Sequence, residues 1–249
     1  MTVSADQLVT IAKQAGAAIM KIYEGEIAVE YKADESPLTL ADLEADRVIC
    51  EGLQKCYPDI FILSEESASG DLADYDNFFL VDPLDGTKEF LKRNGEFTVN
   101  IAWIKNGVAE VAVVYVPALS ECFKADETGA YEEEKNGAWK KLGTNKVRGD
   151  KLRIVGSRSH GAEEMEAWLA TLTEPYEFLG VGSSLKFCRV AQGLADIYPR
   201  FGPTCQWDTA AAQCIVEKAG GTVADLNGDA IRYGVLREKL NPYFICKGQ

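Results

Sequence analysis

The chain has 249 residues, of which 39 are acidic and 26 basic, so its formal net charge is −13. Its 47% hydrophobic and 26% charged residues are typical of a globular protein with a sizeable core, which excludes a disordered or fibrous chain. The negative charge repels polyanions and makes nucleic-acid polymers poor candidate partners.

The first half of the chain predicts helices followed by antiparallel strands. Helical spacing of apolar residues indicates one helix over 4–25, opened by a Ser-x-x-Gln capping box, and a second from residue 39 to residue 57. Apolar runs at 61–63 and 78–81 are typical of buried strands, and each is followed by acidic residues. From residue 97 to 142, turn sequences such as Asn-Gly separate antiparallel strands.

The second half of the chain has a different order of predicted elements. Strand and helix patterns alternate, as in an α/β domain. The predicted elements are, in order, strand 152–155, helix 162–172, strand 178–181, helix 185–192, strand 197–198 and helix 209–219. We therefore expect an N-terminal α+β domain over 1–145 that carries most of the acidic site and a C-terminal α/β domain over 146–249.

Cysteine use indicates a reducing compartment. The seven cysteines are an odd number and lack Cys-x-x-Cys spacing, which favours free thiols over a disulfide framework or a zinc ribbon. No signal-peptide pattern is visible, and no run approaches the ~20 apolar residues of a membrane span. We expect a cytoplasmic protein without an integral membrane segment. Peripheral association with the inner face of the cell membrane stays open, as does the choice between monomer and homodimer.

The most informative segment is Asp82-Pro83-Leu84-Asp85-Gly86-Thr87, which follows a predicted strand. Pro83 fixes a turn that can direct both carboxylates and the Leu84 carbonyl to one point, an oxygen set that Mg²⁺ prefers. If a helix starts at Thr87, its free N–H groups provide an anion site beside the metal. The acidic pair Glu65-Glu66 and the segment Trp207-Asp208-Thr209 could add carboxylates, placing the site between the two domains.

Simpler explanations exist for each acidic residue. Asp82 and Asp85 could be turn or cap residues, Glu65-Glu66 a solvated pair, and Asp208 an N-cap, because Asp is common at such positions. The single histidine, His160, leaves a multi-histidine zinc site without ligands. A haloacid-dehalogenase-type phosphatase is disfavoured because its Asp-x-Asp-Gly-Thr motif has closer Asp spacing than this chain.

Three ordered motifs resemble those of the inositol monophosphatase superfamily, which consists of lithium-sensitive, Mg²⁺-dependent phosphomonoesterases. The family pattern is Glu-Glu, then Asp-Pro-Ile/Leu-Asp-Gly-Thr/Ser, then Trp-Asp-x-x-Ala, and this chain has it at 65–66, 82–87 and 207–211. The resemblance implies a layered αβαβα sandwich of the inositol monophosphatase and fructose-1,6-bisphosphatase type, α+β in its first half and α/β in its second.

Further segments are similar to the bacterial 3'(2'),5'-bisphosphate nucleotidase branch of that superfamily. These segments lie at 32–34, 36–39, 87–90, 93–101, 182–187 and 198–204, so the resemblance spans nearly the whole chain. It implies hydrolysis of adenosine 3',5'-bisphosphate to AMP and phosphate, with the sulfated form, 3'-phosphoadenylyl sulfate, as a further substrate that would give adenylyl sulfate.

The resemblance also implies roles for individual residues. Two or three Mg²⁺ ions would be held by Glu65, Asp82, the Leu84 carbonyl, Asp85 and Asp208. Two such ions can bind the attacking and the leaving oxygen of a displacement and activate water, so no protein nucleophile is needed. The catalytic residues would be Asp42, Thr87 and Glu65, with Thr87 and Asp42 orienting and deprotonating the water. Asp42 has an alternative role as part of a Thr39–Asp42 capping box.

Substrate contacts are implied less sharply. A bisphosphate needs donors away from the metals, and Lys186 is the best single candidate for the second phosphate. The implied substrate-binding residues are Gly86, Thr87, Lys88, Ser157, His160, Ser183, Lys186, Arg200 and Asp208. His160 could also be an ordinary helix residue, and Lys32 and Arg200 ordinary surface charges.

Two alternative functions stay open. An inositol monophosphatase would share every metal ligand and differ in the pocket segments near Ser183 and Tyr198. A catalytically silent metal-binding or nucleotide-binding module would be expected to lack one carboxylate ligand, and none of the motif carboxylates is missing here.

Overall fold

The computed structural model describes residues 2–25, 27, 29–31, 37–67, 73–144, 149–157 and 162–248. Its first half contains, in chain order, α1 (Ala5–Tyr23), β1 (Val29–Tyr31), β2 (Pro37–Thr39), α2 (Leu40–Cys56), β3 (Phe61–Ser64), β4 (Asn77–Asp85), α3 (Thr87–Leu91), β5 (Thr98–Lys105), β6 (Val108–Val116), β7 (Glu121–Asp126), β8 (Gly129–Glu133) and β9 (Trp139–Lys141). The second half contains β10 (Leu152–Gly156), α4 (Ala162–Leu169), β11 (Tyr176–Gly180), α5 (Leu185–Ala191), β12 (Ile197–Arg200), α6 (Gln206–Lys218), β13 (Thr222–Asp225) and β14 (Phe244–Lys247).

The strands of the first half form a seven-stranded sheet with the order β3-β4-β5-β6-β7-β8-β9. β3 and β4 run parallel, and the other neighbours pair antiparallel. Asn106 and Gly107 join β5 to β6 with φ values of 51° and 78°. Two successive positive φ values are characteristic of a primed hairpin turn, so the predicted hairpin is confirmed.

The second half contributes a five-stranded sheet with the order β11-β10-β12-β14-β13. β10 is parallel to β11 and β12, whereas β14 pairs antiparallel with β12 and β13. The sequence pattern missed β13 and β14, which are four residues each and separated by an irregular stretch. The two sheets fall on either side of the predicted boundary at 145/146, and the division into two domains stays a prediction.

Helices and sheets alternate as layers. α1 and α2 pack on one face of the seven-stranded sheet, through a cluster that includes Leu8, Ile49 and Phe79. The other face shares a core with α5, α6 and the five-stranded sheet. α4 covers the outer face of that second sheet, where Trp168 and Leu169 pack on Ile154. The order helix, sheet, helix, sheet, helix confirms the predicted αβαβα sandwich.

Two helix starts show what the local sequence can and cannot specify. Ser4 is the N-cap of α1, but its side chain makes no capping hydrogen bond, so the predicted Ser4–Gln7 capping box is wrong. Gln7 instead accepts a hydrogen bond from the Tyr57 hydroxyl, which also accepts from the Ser4 N–H at 3.0 Å. α6 begins at Gln206, three residues before the predicted start.

Within the described ranges, no helix is long and apolar enough to cross a membrane.

Candidate active site

The end of β4 presents the two motif aspartates. Asp82 pairs with Asn100 of β5 and Asp85 with Thr98, so one extra residue on β4 makes the register irregular between them. Pro83 has no N–H for the ladder, which explains why regular pairing stops there. The Leu84 N–H bends back to Asp82 Oδ1 at 3.0 Å. The strand therefore continues to Asp85, beyond the predicted end at residue 81, and both aspartates are fixed by the ladder and not by a free turn.

The third motif brings a carboxylate from α6. Asp208 is the third residue of this helix, and its Oδ2 accepts the Cys205 N–H at 2.8 Å in a capping box. Asp208 is therefore not the N-cap itself, a position that Cys205 holds. Because α6 lies between the two sheets, its first turn places Asp208 opposite the ends of β3 and β4.

Three carboxylates converge at this point. Glu65, Asp82 and Asp208 each offer an oxygen within 4.8 Å of the other two, the group that the described residues provide for a metal ion. Burial, followed by repulsion from Glu65 and Asp85, raises the pKa of Asp82 well above its usual range. Burial and the Asp85 charge raise the pKa of Asp208 to about 8. Carboxylates forced together in this way fit a hard divalent cation, which removes the repulsion.

Asp85 lies beside this group and not within it. The Ser184 backbone N–H donates to its Oδ2, and Thr98 Oγ1 lies 3.5 Å from the same oxygen. Burial raises the pKa of Asp85 to about 6, although the nearby Lys186 ammonium opposes that rise. Its role as a ligand, like that of the Leu84 carbonyl, stays a prediction.

Asp42 caps α2 with one carboxylate oxygen and contacts Thr87 with the other, and its catalytic role stays a prediction. Its Oδ2 accepts the Thr39 N–H at 2.8 Å and the Thr39 hydroxyl at 2.6 Å, which confirms the capping box at the start of α2. Its other oxygen, Oδ1, accepts the Thr87 hydroxyl at 3.2 Å. Burial raises the pKa of Asp42, even though these hydrogen bonds favour the ionised form. The cap thus holds the carboxylate in place while one oxygen faces Thr87.

Gly86 connects β4 to α3 and is the N-cap of that helix, with φ at 95°. An added Cβ would lie 3.3 Å from both the Glu96 carbonyl and the Ser183 side chain, so a side chain is disfavoured by conformation and by space. The predicted helix start at Thr87 is confirmed, and its first N–H groups face no helical partner.

A cavity of about 240 Å³ joins these groups to the second half of the chain. Predicted site residues in its lining are Glu65, Asp85, Gly86, Thr87, Lys88, Ser157, Ser183, Lys186, Arg200 and Asp208. Asp42, Asp82 and Leu84 are buried beside it. His160 and Lys32 fall outside the described residues.

Lys186 is one of two buried cations that line this cavity. It is 5% exposed, donates to the Ser183 carbonyl at 2.5 Å and lies 5.4 Å from the centre of the Tyr198 ring. Burial lowers its pKa to about 8, against the attraction of Asp85. Arg200 is also buried, and it donates to the Gly202 and Pro203 carbonyls, so it is not an ordinary surface charge. Two buried cations in the lining of one cavity indicate a site for an anion.

Several residues that shape the site are not among the predicted site residues. Thr98 and Ser184 contact Asp85, and Asn100 contacts Ser184. The Glu96 carboxylate accepts the Gly182 N–H at 2.7 Å. A signal for Thr98 and Asn100 was available, because both are polar residues on the face of β5 that is otherwise apolar. Ser184 could not be placed without the tertiary structure.

Comparison with known proteins agrees with this geometry. The model of the Inositol monophosphatase family matches residues 2–244. The chain belongs to the inositol monophosphatase family. Within it, the chain is similar to the protein named 3'(2'),5'-bisphosphate nucleotidase CysQ from Salmonella typhimurium, with 46% identity over 96% of this chain and 97% of the relative. The protein of the same name from Escherichia coli K12 is 45% identical over the same shares.

A solved structure supports the same placement. CysQ from Bacteroides thetaiotaomicron, described as a bacterial member of the inositol monophosphatase family, superposes with a TM-score of 0.84 at 38% identity. The match covers 98% of this chain and 96% of that one. The predicted family, and the predicted likeness to its bisphosphate nucleotidase branch, are confirmed.

Proposed function

We propose that this chain is a Mg²⁺-dependent 3'(2'),5'-bisphosphate nucleotidase that converts adenosine 3',5'-bisphosphate into AMP and phosphate. The observation that carries the proposal is the buried Lys186 ammonium in the same cavity as Glu65 and Asp208, whose carboxylates converge with that of Asp82. A cation-binding group next to an anion-binding group fits a substrate with two phosphates. The names of the relatives support the same substrate.

Glu65, Asp82, Asp85, Asp208 and the Leu84 carbonyl are proposed to hold two or three Mg²⁺ ions. Their oxygen donors are the ligand type that Mg²⁺ prefers, and their mutual repulsion favours a bound cation. Bound Mg²⁺ supplies charge neutralisation at the scissile phosphate and makes water a better nucleophile. The protein supplies the position of the substrate and the path of the proton.

Thr87 and Asp42 are proposed to activate the attacking water. Since the Thr87 hydroxyl donates to Asp42 Oδ1, its lone pairs are available to accept a hydrogen bond from water. As the water attacks phosphorus, its proton passes to Thr87 Oγ1 while the Thr87 proton passes to Asp42. Burial raises the pKa of Asp42 and so makes it a stronger base than an exposed aspartate. Glu65, the third proposed catalytic residue, lines the same cavity.

The Gly86 and Thr87 N–H groups are proposed to bind the scissile phosphate at the start of α3. Lys186 would then bind the second phosphate, with Arg200, Ser157 and Ser183 as further donors in the lining of the cavity. Lys88 and Asp208 line the same cavity and are proposed to contact the sugar or the scissile group. Contact of His160 with the substrate is proposed from the family resemblance alone.

Lys186 also favours the nucleotide over inositol phosphate as the substrate, because a monophosphate attached to a neutral ring brings no second phosphate to this buried ammonium. We include 3'-phosphoadenylyl sulfate as a second substrate, since it carries the same 3'-phosphate. All seven cysteines are free, which supports the proposal that the enzyme works in the cytoplasm.

The proposal is tested by incubating the purified protein with adenosine 3',5'-bisphosphate and Mg²⁺ and identifying the nucleotide product by chromatography. We expect AMP and phosphate in equal amounts, and no turnover after treatment with EDTA. Turnover that persists without divalent metal would overturn the metal assignment. Absence of AMP with every divalent metal tried would overturn the assignment of adenosine 3',5'-bisphosphate as the substrate.

A further inference from the structure

We propose that Asn100, Ser184 and Thr98 form a hydrogen-bond relay that positions Asp85 for metal binding. The inference rests on the proposed Mg²⁺ site and concerns residues that carry no role in the proposed mechanism. It would make Ser184, which belongs to the second half of the chain, a positioning residue for a carboxylate of the first half.

Strand geometry places the members of the relay together. Thr98 and Asn100 are two residues apart on β5, so their side chains point to the same face of the sheet. Their partners across the ladder are Asp85 and Asp82. That face meets α5 and α6, and Ser184, immediately before α5, lies against it.

The contacts form a continuous chain. Ser184 Oγ lies 2.8 Å from Thr98 Oγ1 and 2.8 Å from the amide oxygen position of Asn100. Thr98 Oγ1 lies 3.5 Å from Asp85 Oδ2. Thr98, Asn100 and Ser184 are at most 2% exposed, so bulk water cannot replace these partners.

The number of protons decides the direction of the relay. If Ser184 donates to the Asn100 amide oxygen, Thr98 must donate to Ser184, and no hydroxyl proton is left for Asp85. In that arrangement the Asn100 Nδ2, a buried donor, also has no partner among the described residues. Such a donor costs about 1–3 kcal/mol.

The opposite orientation of the amide removes both difficulties. Amide nitrogen and oxygen have nearly the same shape, so their assignment follows from the hydrogen-bond network. With Nδ2 toward Ser184, Asn100 donates to Ser184, Ser184 donates to Thr98 and Thr98 donates to Asp85. The amide oxygen then takes the unpartnered place, which is tolerated better in a buried site than an unpartnered N–H group.

The relay determines which oxygen of Asp85 is available. The hydrogen bond from the Ser184 N–H and the contact with Thr98 Oγ1 both fall on Oδ2. The carboxylate is thereby held in one rotation about its own axis, with Oδ1 left for the ion. Removing the hydroxyls should leave the carboxylate in the protein but less well oriented, and the affinity for metal should fall.

The test measures Mg²⁺ binding by calorimetry on metal-free protein, without substrate. Thr98→Val and Ser184→Ala should each weaken Mg²⁺ binding about tenfold or more, the usual effect of losing a group that orients a ligand. Thr98→Ser keeps the hydroxyl and should stay within about threefold of the parent. Thr144→Val is the matched control, because Thr144 is a buried threonine that does not line the cavity.

A second readout separates positioning from general damage. With substrate, the Thr98→Val and Ser184→Ala enzymes should need more Mg²⁺ for half-maximal rate but approach the parental kcat at saturating Mg²⁺. Parental Mg²⁺ affinity in both variants, or an equal loss in Thr98→Ser and Thr98→Val, would overturn the relay alone. If the parent itself binds no Mg²⁺, the proposed function and the relay are both overturned.

Discussion

Lys186 offers the sharpest test of how the cavity selects its substrate. Lys186→Met keeps most of the side-chain volume and removes the charge from a residue that is only 5% exposed. A hydrogen bond to a charged group contributes about 1.5–3 kcal/mol, which corresponds to roughly 10- to 150-fold in an equilibrium constant. At pH 7, below its pKa of about 8, most of the Lys186 side chain carries its proton.

The assay compares adenosine 3',5'-bisphosphate with adenosine 3'-monophosphate, which has the same scissile phosphate but lacks the second one. We expect Lys186→Met to lower kcat/KM for the bisphosphate by roughly 10- to 150-fold, mainly through KM, and to change the value for the monophosphate by less than about threefold. Lys218→Met is a control, since Lys218 pairs with Glu110 outside the cavity. An equal loss on both substrates would refute the assignment of Lys186 to the second phosphate.

Four further outcomes are expected from the same site. Asp85→Asn should reduce turnover by at least about 100-fold without lowering the melting temperature, because a carboxylate charge is lost at constant volume; parental activity would contradict the role in metal binding. Asp42→Asn should lower kcat by about 10²- to 10⁴-fold with little change in KM, since the amide oxygen can keep the helix cap but cannot take the proton; an unchanged kcat would exclude Asp42 as the base. Lithium should inhibit by competing at a Mg²⁺ position, and full activity at high Li⁺ would count against that site. In metal-free protein, the folded-state pKa values of Asp85 (about 6) and Asp208 (about 8) lie above 3.8, the usual value for an aspartate. The folded state therefore binds these protons more tightly than the unfolded state, and the stability that they contribute is lost as the pH rises toward 8. Urea unfolding in EDTA should therefore give a lower free energy of unfolding at pH 8.5 than at pH 5.5, and added Mg²⁺ should restore it at pH 8.5. In Asp208→Asn the free energy of unfolding should change less with pH. Equal stability of the parent at both pH values would contradict the account.

Local chemistry explains which parts of the fold the sequence could predict. The Asn106-Gly107 turn, the start of α2 at Thr39 and the acidic ends of β3 and β4 depend on neighbouring residues, so their patterns are readable. β13 and β14 are short and find their partners across the sheet, and such pairing leaves little local signal. The same holds for the hydrogen bond that replaces the predicted capping box at Ser4, because the Ser4 N–H donates to the hydroxyl of the distant Tyr57.

In the site too, some features could be predicted from the sequence and others depend on the tertiary structure. The three motifs identified Glu65, Asp82 and Asp208, and the structure brings them within 4.8 Å of each other. The sequence could not show that Asp85 lies beside this group, because that depends on how Ser184 approaches from the second half of the chain. It also could not decide between cap and base for Asp42. The structure gives one carboxylate oxygen to the helix cap and places the other against the Thr87 hydroxyl, and the role of Asp42 as base stays a prediction.

The central claim is that the carboxylate group and the buried lysine together select a bisphosphate nucleotide. The most direct measurement compares phosphate release from adenosine 3',5'-bisphosphate and inositol 1-phosphate by the parent enzyme at saturating Mg²⁺. We expect kcat/KM for the nucleotide to be at least about tenfold higher, which corresponds to about 1.4 kcal/mol in transition-state binding. A preference for inositol 1-phosphate would be compatible with the proposed metal site but would contradict the claim that the substrate is a bisphosphate nucleotide.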